Sequence, residues 1–91
     1  MIKLFPNGSK AYINFDGFLH RINGPANIYY SNNEEEKFWH ISWYVNGILH
    51  REDGPAIENS RGHKEYWYYG NRIDVESTED FIRYIKLLAF I

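Results

Sequence analysis

A ten-residue phrase occurs twice in this chain: GFLHRINGPA from Gly17 to Ala26, and GILHREDGPA from Gly47 to Ala56. Seven of the ten positions are identical, and the copies stand thirty residues apart. A fixed period of that length marks stacked supersecondary units, each unable to bury its apolar surface alone. Shifted by thirty, AYINFDGFLHRINGPANIYY lies on ISWYVNGILHREDGPAIENS, with aromatic and β-branched residues ahead of the Gly in both. A chain of 91 residues holds two such copies and part of a third. Architecture is therefore narrowed before composition is weighed.

Turn chemistry gives the unit its shape. Asp16-Gly17 and Asn46-Gly47 are strong hairpin signals, because both residue types tolerate positive φ. Asn7-Gly8 repeats the signal, and Tyr69-Gly70-Asn71 gives a weaker form after the run EYWYY. Strands are expected near residues 2–5, 10–15, 18–20, 26–30, 37–45, 48–50, 56–59, 63–69 and 72–74. Turn signals at this rhythm are typical of an antiparallel meander. The polar run SNNEEE, residues 31–36, reads as an exposed loop, and Ser60-Arg61-Gly62 as another turn. Gly-Pro-Ala reverses the chain: Gly permits unusual backbone shapes, Pro fixes φ, and a small Ala leads into the next strand.

The last segment changes period. In STEDFIRYIKLLAFI, Phe81, Ile85, Leu88 and Ala89 share one helical face, flanked by Ile82, while Glu79, Arg83 and Lys86 fall opposite. Ser77 followed by Asp80 supplies a start resembling a capping box. An antiparallel sheet with an aromatic face needs a cover, and an apolar helix needs a surface. The expected class is α+β: a β-meander of repeated hairpins capped by one C-terminal amphipathic helix. One domain spans residues 1–91, with units at about 12–28 and 42–58, a partial unit at 64–74, and the helix at about 78–90.

Composition narrows function mainly by exclusion. The absence of cysteine removes disulfides, thiolate nucleophiles and Cys-based zinc sites. A net charge of −2 lacks the basic excess usual for backbone-binding nucleic-acid domains, so nucleic acid is not a favoured partner. MIKLFPNGSK has no signal-peptide core, and YIKLLAFI is short and interrupted by Lys86. A soluble, cytoplasmic protein is expected, with no membrane partner. Four histidines, His20, His40, His50 and His63, lack ligand-set spacing, so no metal is expected. No Gly-x-Ser-x-Gly or phosphate-binding Gly-rich loop is present, and neither a catalytic residue nor a cofactor is assigned.

Two features carry the remaining chemistry. His20-Arg21 and His50-Arg51 recur with the unit. Read functionally, they gather two imidazoles and two guanidinia for anion binding or acid–base work. Read structurally, each His bonds a backbone carbonyl of its own loop, and each Arg bonds a carboxylate or stacks on a ring. The aromatic runs around Phe38–Tyr44 and Tyr66–Tyr69 place rings on both sheet faces, one for the core and one for a partner or for cross-strand stacking.

WYVNGILHREDGPA resembles a Tyr-x-Asn-Gly-x-Leu-His-Arg-x-Asp-Gly-Pro-Ala repeat of small bacteriophage, giant-virus and bacterial proteins, similar in style to MORN-type repeats. The resemblance covers residues 12–28 and 42–58 well, and 64–74 in part, where YWYYGNRIDVES lacks His-Arg and Gly-Pro-Ala. It implies a scaffolding or binding surface. Through an implied viral origin, it also points to an inhibitor of a host defence nuclease complex, of the anti-CRISPR kind, acting in the host cytoplasm. The leading expectation is a non-enzymatic module binding a host or viral protein. Trp39, Trp43, Tyr66 and Tyr68 are its exposed rings, with Arg21 and Arg51 as polar anchors. The alternatives are a metal-independent nuclease using His20 and His50, or a nucleotide or nucleic-acid binder using the Arg pair. Open strand edges make a homodimer a further expectation.

Overall fold

Every turn pair read from the sequence closes a hairpin, but by two different geometries. The computed structural model describes residues 1–31 and 35–90; the centre of the expected SNNEEE loop, residues 32–34, and residue 91 lie outside the described residues. At Asn46-Gly47 both residues take positive φ, 49° and 80°, and Tyr69-Gly70 does the same at 45° and 80°. These are tight two-residue turns matched to strand twist. Near Gly8, Gly17 and Gly62 only the glycine is left-handed, which gives wider three-residue loops. Asn14 and Asn59 brace two of them, their Oδ1 atoms accepting amides of the turn that follows. The expectation of a tight Asp16-Gly17 turn is corrected accordingly.

Among the described residues nine short strands follow: β1 (Ile2–Leu4), β2 (Lys10–Tyr12), β3 (Asn27–Tyr30), β4 (Trp39–Ser42), β5 (Tyr44–Val45), β6 (Ile48–Leu49), β7 (Ile57–Asn59), β8 (Lys64–Tyr68) and β9 (Asn71–Ile73). One helix, α1 (Thr78–Leu88), completes the α+β fold. Seven strands form one antiparallel sheet in the order β1-β2-β3-β4-β7-β8-β9, and β5-β6 stands apart as a small hairpin. The strand expected near 18–20 is reduced to one bridge, Ile13 to Leu19. Each unit thus runs up one strand, through a hairpin and a Gly-Pro-Ala loop, and down the next.

Backbone bonds reveal the true repeat register. Tyr12 N–H donates to Ala26 O and Trp43 N–H to Ala56 O, both at 2.7 Å. Tyr12 therefore answers to Trp43, one residue beyond the thirty-residue shift, because the first hairpin carries an extra residue. From the glycine onward the thirty-residue shift holds. Ala26 and Ala56, both fully buried, donate onward to Ser42 O and Glu65 O, tying each loop to the next unit.

The sheet is thin. The chain measures 46 × 34 × 17 Å, and its radius of gyration of 14.4 Å exceeds the roughly 12 Å of a compact domain this size. Among the described residues, the buried apolar set is Ala26, Ala56, Tyr66 and Phe81. Cross-strand partners point to the same side, so register places Ile28, Ile41, Glu58 and Lys64 on one side, with Tyr66. Helix α1 packs on that side, with the Phe81 ring 5.1 Å from Tyr66. Ser77 caps it, its Oγ accepting Asp80 N–H at 3.1 Å. Ile82, Ile85 and Leu88 are half-buried, whereas Ala89, expected on the packed face, is exposed beyond the last turn. No helix among the described residues is long and apolar enough to cross a membrane.

Candidate binding surface

The repeated phrase is joinery of two kinds. Arg21 and Arg51 each place their guanidinium carbon over the ring beginning their own unit, 4.0 Å from the centre of Tyr12 and 3.9 Å from that of Trp43. Each guanidinium then donates through Nη1 to the proline carbonyl of its loop, Pro25 at 3.3 Å and Pro55 at 3.1 Å. The glycines are required by this sandwich. A Cβ on Gly24 or Gly54 would sit 2.7 or 2.9 Å from the arginine Cζ. In the second copy, Arg51 Nε also donates to Asp53 Oδ1 at 2.8 Å, and Glu58 lies 3.7 Å from Nη1.

The histidines do something the sequence does not suggest. His20 Nδ1 accepts the backbone N–H of Asn46, and His50 Nδ1 that of Tyr69, each at 2.9 Å. Leu19 O and Leu49 O take the adjoining amides, from Gly47 at 2.7 Å and Gly70 at 2.8 Å. Both outward amides of each tight turn are thus satisfied by the preceding unit. The expected bond from His to a carbonyl of its own loop is corrected: the imidazole accepts, and from the next unit. Accepting at Nδ1 leaves the ring proton on Nε2, which in His50 faces Glu52 at 3.4 Å.

The ends of the array are finished differently. The first hairpin has no histidine before it, and Asn14 supplies the missing acceptor from within. The third unit has Asp74 at the position of Arg21 and Arg51, and helix α1 takes the place of the missing clamp. Tyr66 answers to Tyr12 and Trp43, and Phe81 covers its ring while its hydroxyl bonds Thr78 Oγ1 at 3.0 Å. Tyr66 is only 5% exposed, which corrects its expected place among the exposed rings. Strand alternation turns it to the helix side.

The other candidates are scattered. Trp39 is exposed, paired with Tyr30 at the end of the sheet that carries the Gly8 and Gly62 turns, opposite the hairpins at Gly17, Gly47 and Gly70. Trp43 is half-buried beneath Arg51, with its Nε1 buried and unpartnered among the described residues. Tyr68 is half-buried, its ring 5.1 Å from His50 and 4.7 Å from Tyr69. Arg21 and Arg51 are half-buried, each over its own unit's ring and bonded to its own loop through Nη1. No cluster of three or more metal-ligating groups occurs among the described residues.

Two features missed by the sequence reading stand at the hairpin end. One is an apolar ridge. Phe18 packs 3.1 Å from the Cβ position of Gly47, and Ile48 repeats the contact on Gly70, so successive hairpins line up. Phe15, Phe18, Ile48 and Tyr69 are all exposed, Phe15 completely. The other is an open groove of about 440 Å³ lined by Ile22, Trp43, His50, Glu52, Asp53 and Tyr69, among others. A signal for the ridge was present: Phe15 and Phe18 flank Asp16-Gly17, and Ile48 follows Asn46-Gly47.

A polar cluster marks β8 and its preceding turn. Glu65 accepts from Trp67 Nε1 at 3.0 Å, pairs with His63 Nε2 at 2.6 Å, and lies 3.9 Å from Arg72 Nε. The His63 hydrogen bond chiefly, with help from Trp67 and Arg72, holds its carboxyl below the usual carboxylate range despite some desolvation. Comparison with protein-family models, curated proteins and solved structures finds no match to this chain.

Proposed function

We propose that the chain is a non-enzymatic protein-binding scaffold whose contact surface is the hairpin end. The observation that carries this reading is the exposed set Phe15, Phe18, Ile48 and Tyr69 at successive hairpins, with Phe18 and Ile48 each packed on the next turn and all four left open to solvent. Aligned exposed rings are costly in water and concentrate interface energy when covered. The His-Arg phrase supports the same reading, because its imidazoles hold successive hairpins in register and its arginines clamp their own loops. The resemblance to MORN-type repeats agrees with a scaffold, and the partner class it implies is a host defence nuclease complex.

Affinity capture from a lysate of the natural host, with the parent chain and the pair Phe15→Ser/Phe18→Ser, tests this. Circular dichroism first establishes that the variant folds. A protein held by the parent and lost at least about tenfold by the variant is expected. Capture indifferent to both changes, or altered only by replacing Trp39 at the opposite end, overturns the reading.

A further inference from the structure

We infer that the groove beside the ridge receives the cationic side chain, arginine or lysine, of a partner protein. This rests on the protein-binding reading and deepens it by giving the partner a charge. The loops 20–26 and 50–54 both contribute to the groove, through Ile22 on one and Glu52 and Asp53 on the other. The guanidinium of Arg51 is largely engaged there. Its Nε is held by Asp53, its Nη1 by Pro55 O, and its face by Trp43.

The charge balance around it is acidic. The groove lining carries Glu52 and Asp53 against one arginine, an excess of one negative charge, and Glu58, just outside the lining, stands 3.7 Å from Arg51 Nη1. His50 offsets none of it while Nδ1 accepts the Tyr69 amide and the remaining N–H faces Glu52. The side chains of Glu52 and Asp53 are 60% and 76% exposed, so their carboxylates reach a visitor from solvent.

Aromatic surface completes the fit. Tyr69 is 58% exposed, and its ring is fixed by stacking on His50 with centroids 3.9 Å apart. A planar guanidinium or an ammonium meets both an aromatic face and carboxylates in such a place. The first unit carries Ile22 and Asn23 where the second has Glu52 and Asp53, so the acidic wall is built once. Continuity with the ridge allows one partner to cover both, an apolar patch on the hairpins and a basic residue in the groove.

The test uses the intact chain, with backbone amide shifts followed by NMR. Four probes are titrated separately: acetyl-arginine amide, acetyl-lysine amide, acetyl-citrulline amide and inorganic phosphate. The arginine and lysine probes are expected to shift Val45, His50 and Tyr69 saturably, more weakly as salt rises. Citrulline, which keeps the shape without the charge, and phosphate are expected to leave them unmoved. Glu52→Gln spares the Arg51 bonds, and Tyr69→Asn keeps a residue suited to the left-handed turn. Each is expected to weaken the arginine probe at least about fivefold. Equal binding of citrulline, binding of phosphate in the groove, no shift at all, or variants titrating like the parent each overturn the inference. Phe15→Ser/Phe18→Ser leaves this titration unchanged. Failure here with partner capture intact therefore removes the groove alone, and the converse removes the ridge.

Discussion

The backbone N–H of Tyr69 donates to Nδ1 of His50 at 2.9 Å, and the ring of the same tyrosine stacks on that imidazole at 3.9 Å. A left-handed tyrosine is unusual, because its Cβ crowds the backbone at φ 45°. Here one residue gives the preceding unit both a hydrogen bond and a stacked ring, which offsets the conformational cost. One unit earlier, Asn46 makes the same bond to His20 without the ring. A repeated histidine that resembles half of a catalytic pair is thus the socket for the next hairpin.

The arginine sandwich gives a prediction through its glycine. In Gly54→Ala the new methyl displaces the Arg51 guanidinium from Trp43 and from Pro55 O. The side chain can swing away, so the loss is that of the stack and one bond, about 1–2 kcal/mol by urea denaturation. The loss should largely vanish in an Arg51→Ala background. Gly62→Ala is the control: its Cβ meets open space at φ +87°, and its cost of about 1 kcal/mol is expected to be the same in either background. Additive effects of Gly54→Ala and Arg51→Ala would refute the sandwich.

Helix α1 stands where a third loop would be, so its attachment should dominate stability. Phe81→Ala removes one of the few buried apolar side chains and is expected to cost about 3–5 kcal/mol. Ser77→Ala, which loses only the cap, should cost about 1 kcal/mol. Thermal melts of both variants check this, and a Phe81 variant melting within a degree or two of the parent would show that the helix is ornamental.

Glu65 supplies a pH dependence. Its carboxyl is held below the usual range, chiefly by the His63 hydrogen bond, so it binds protons less readily folded than unfolded. Its contribution is therefore full above the unfolded carboxylate range and lost as pH falls through the lower folded value. Glu65→Gln should melt below the parent near neutrality, and the gap should close as pH falls below about 4. A gap that stays constant into acid would contradict the assignment.

Much of this fold was legible in the residues. Asn46-Gly47 signalled its tight turn because such pairs take two positive φ values at little cost, and Ser77 with Asp80 signalled the helix start. The site was less legible, for a physical reason. Half of each His joint is a backbone amide, which every residue but proline carries, so nothing at position 46 or 69 announces it. Tyr69 in place of Asn hid the third turn further, and the extra residue in the first hairpin made Tyr12 align with Ser42 when its partner in role is Trp43. Tyr66 looked like surface because no neighbouring residue foretells the helix that covers it.

Amide hydrogen exchange on His20→Ala and His50→Ala reads the inter-unit joints most directly. His20→Ala should lose protection at Asn46 and Gly47, and His50→Ala at Tyr69 and Gly70, one unit beyond the substitution in both cases. Protection lost only within residues 20–26 or 50–56, or unchanged at both turns, would mean that the histidines do not couple the hairpins.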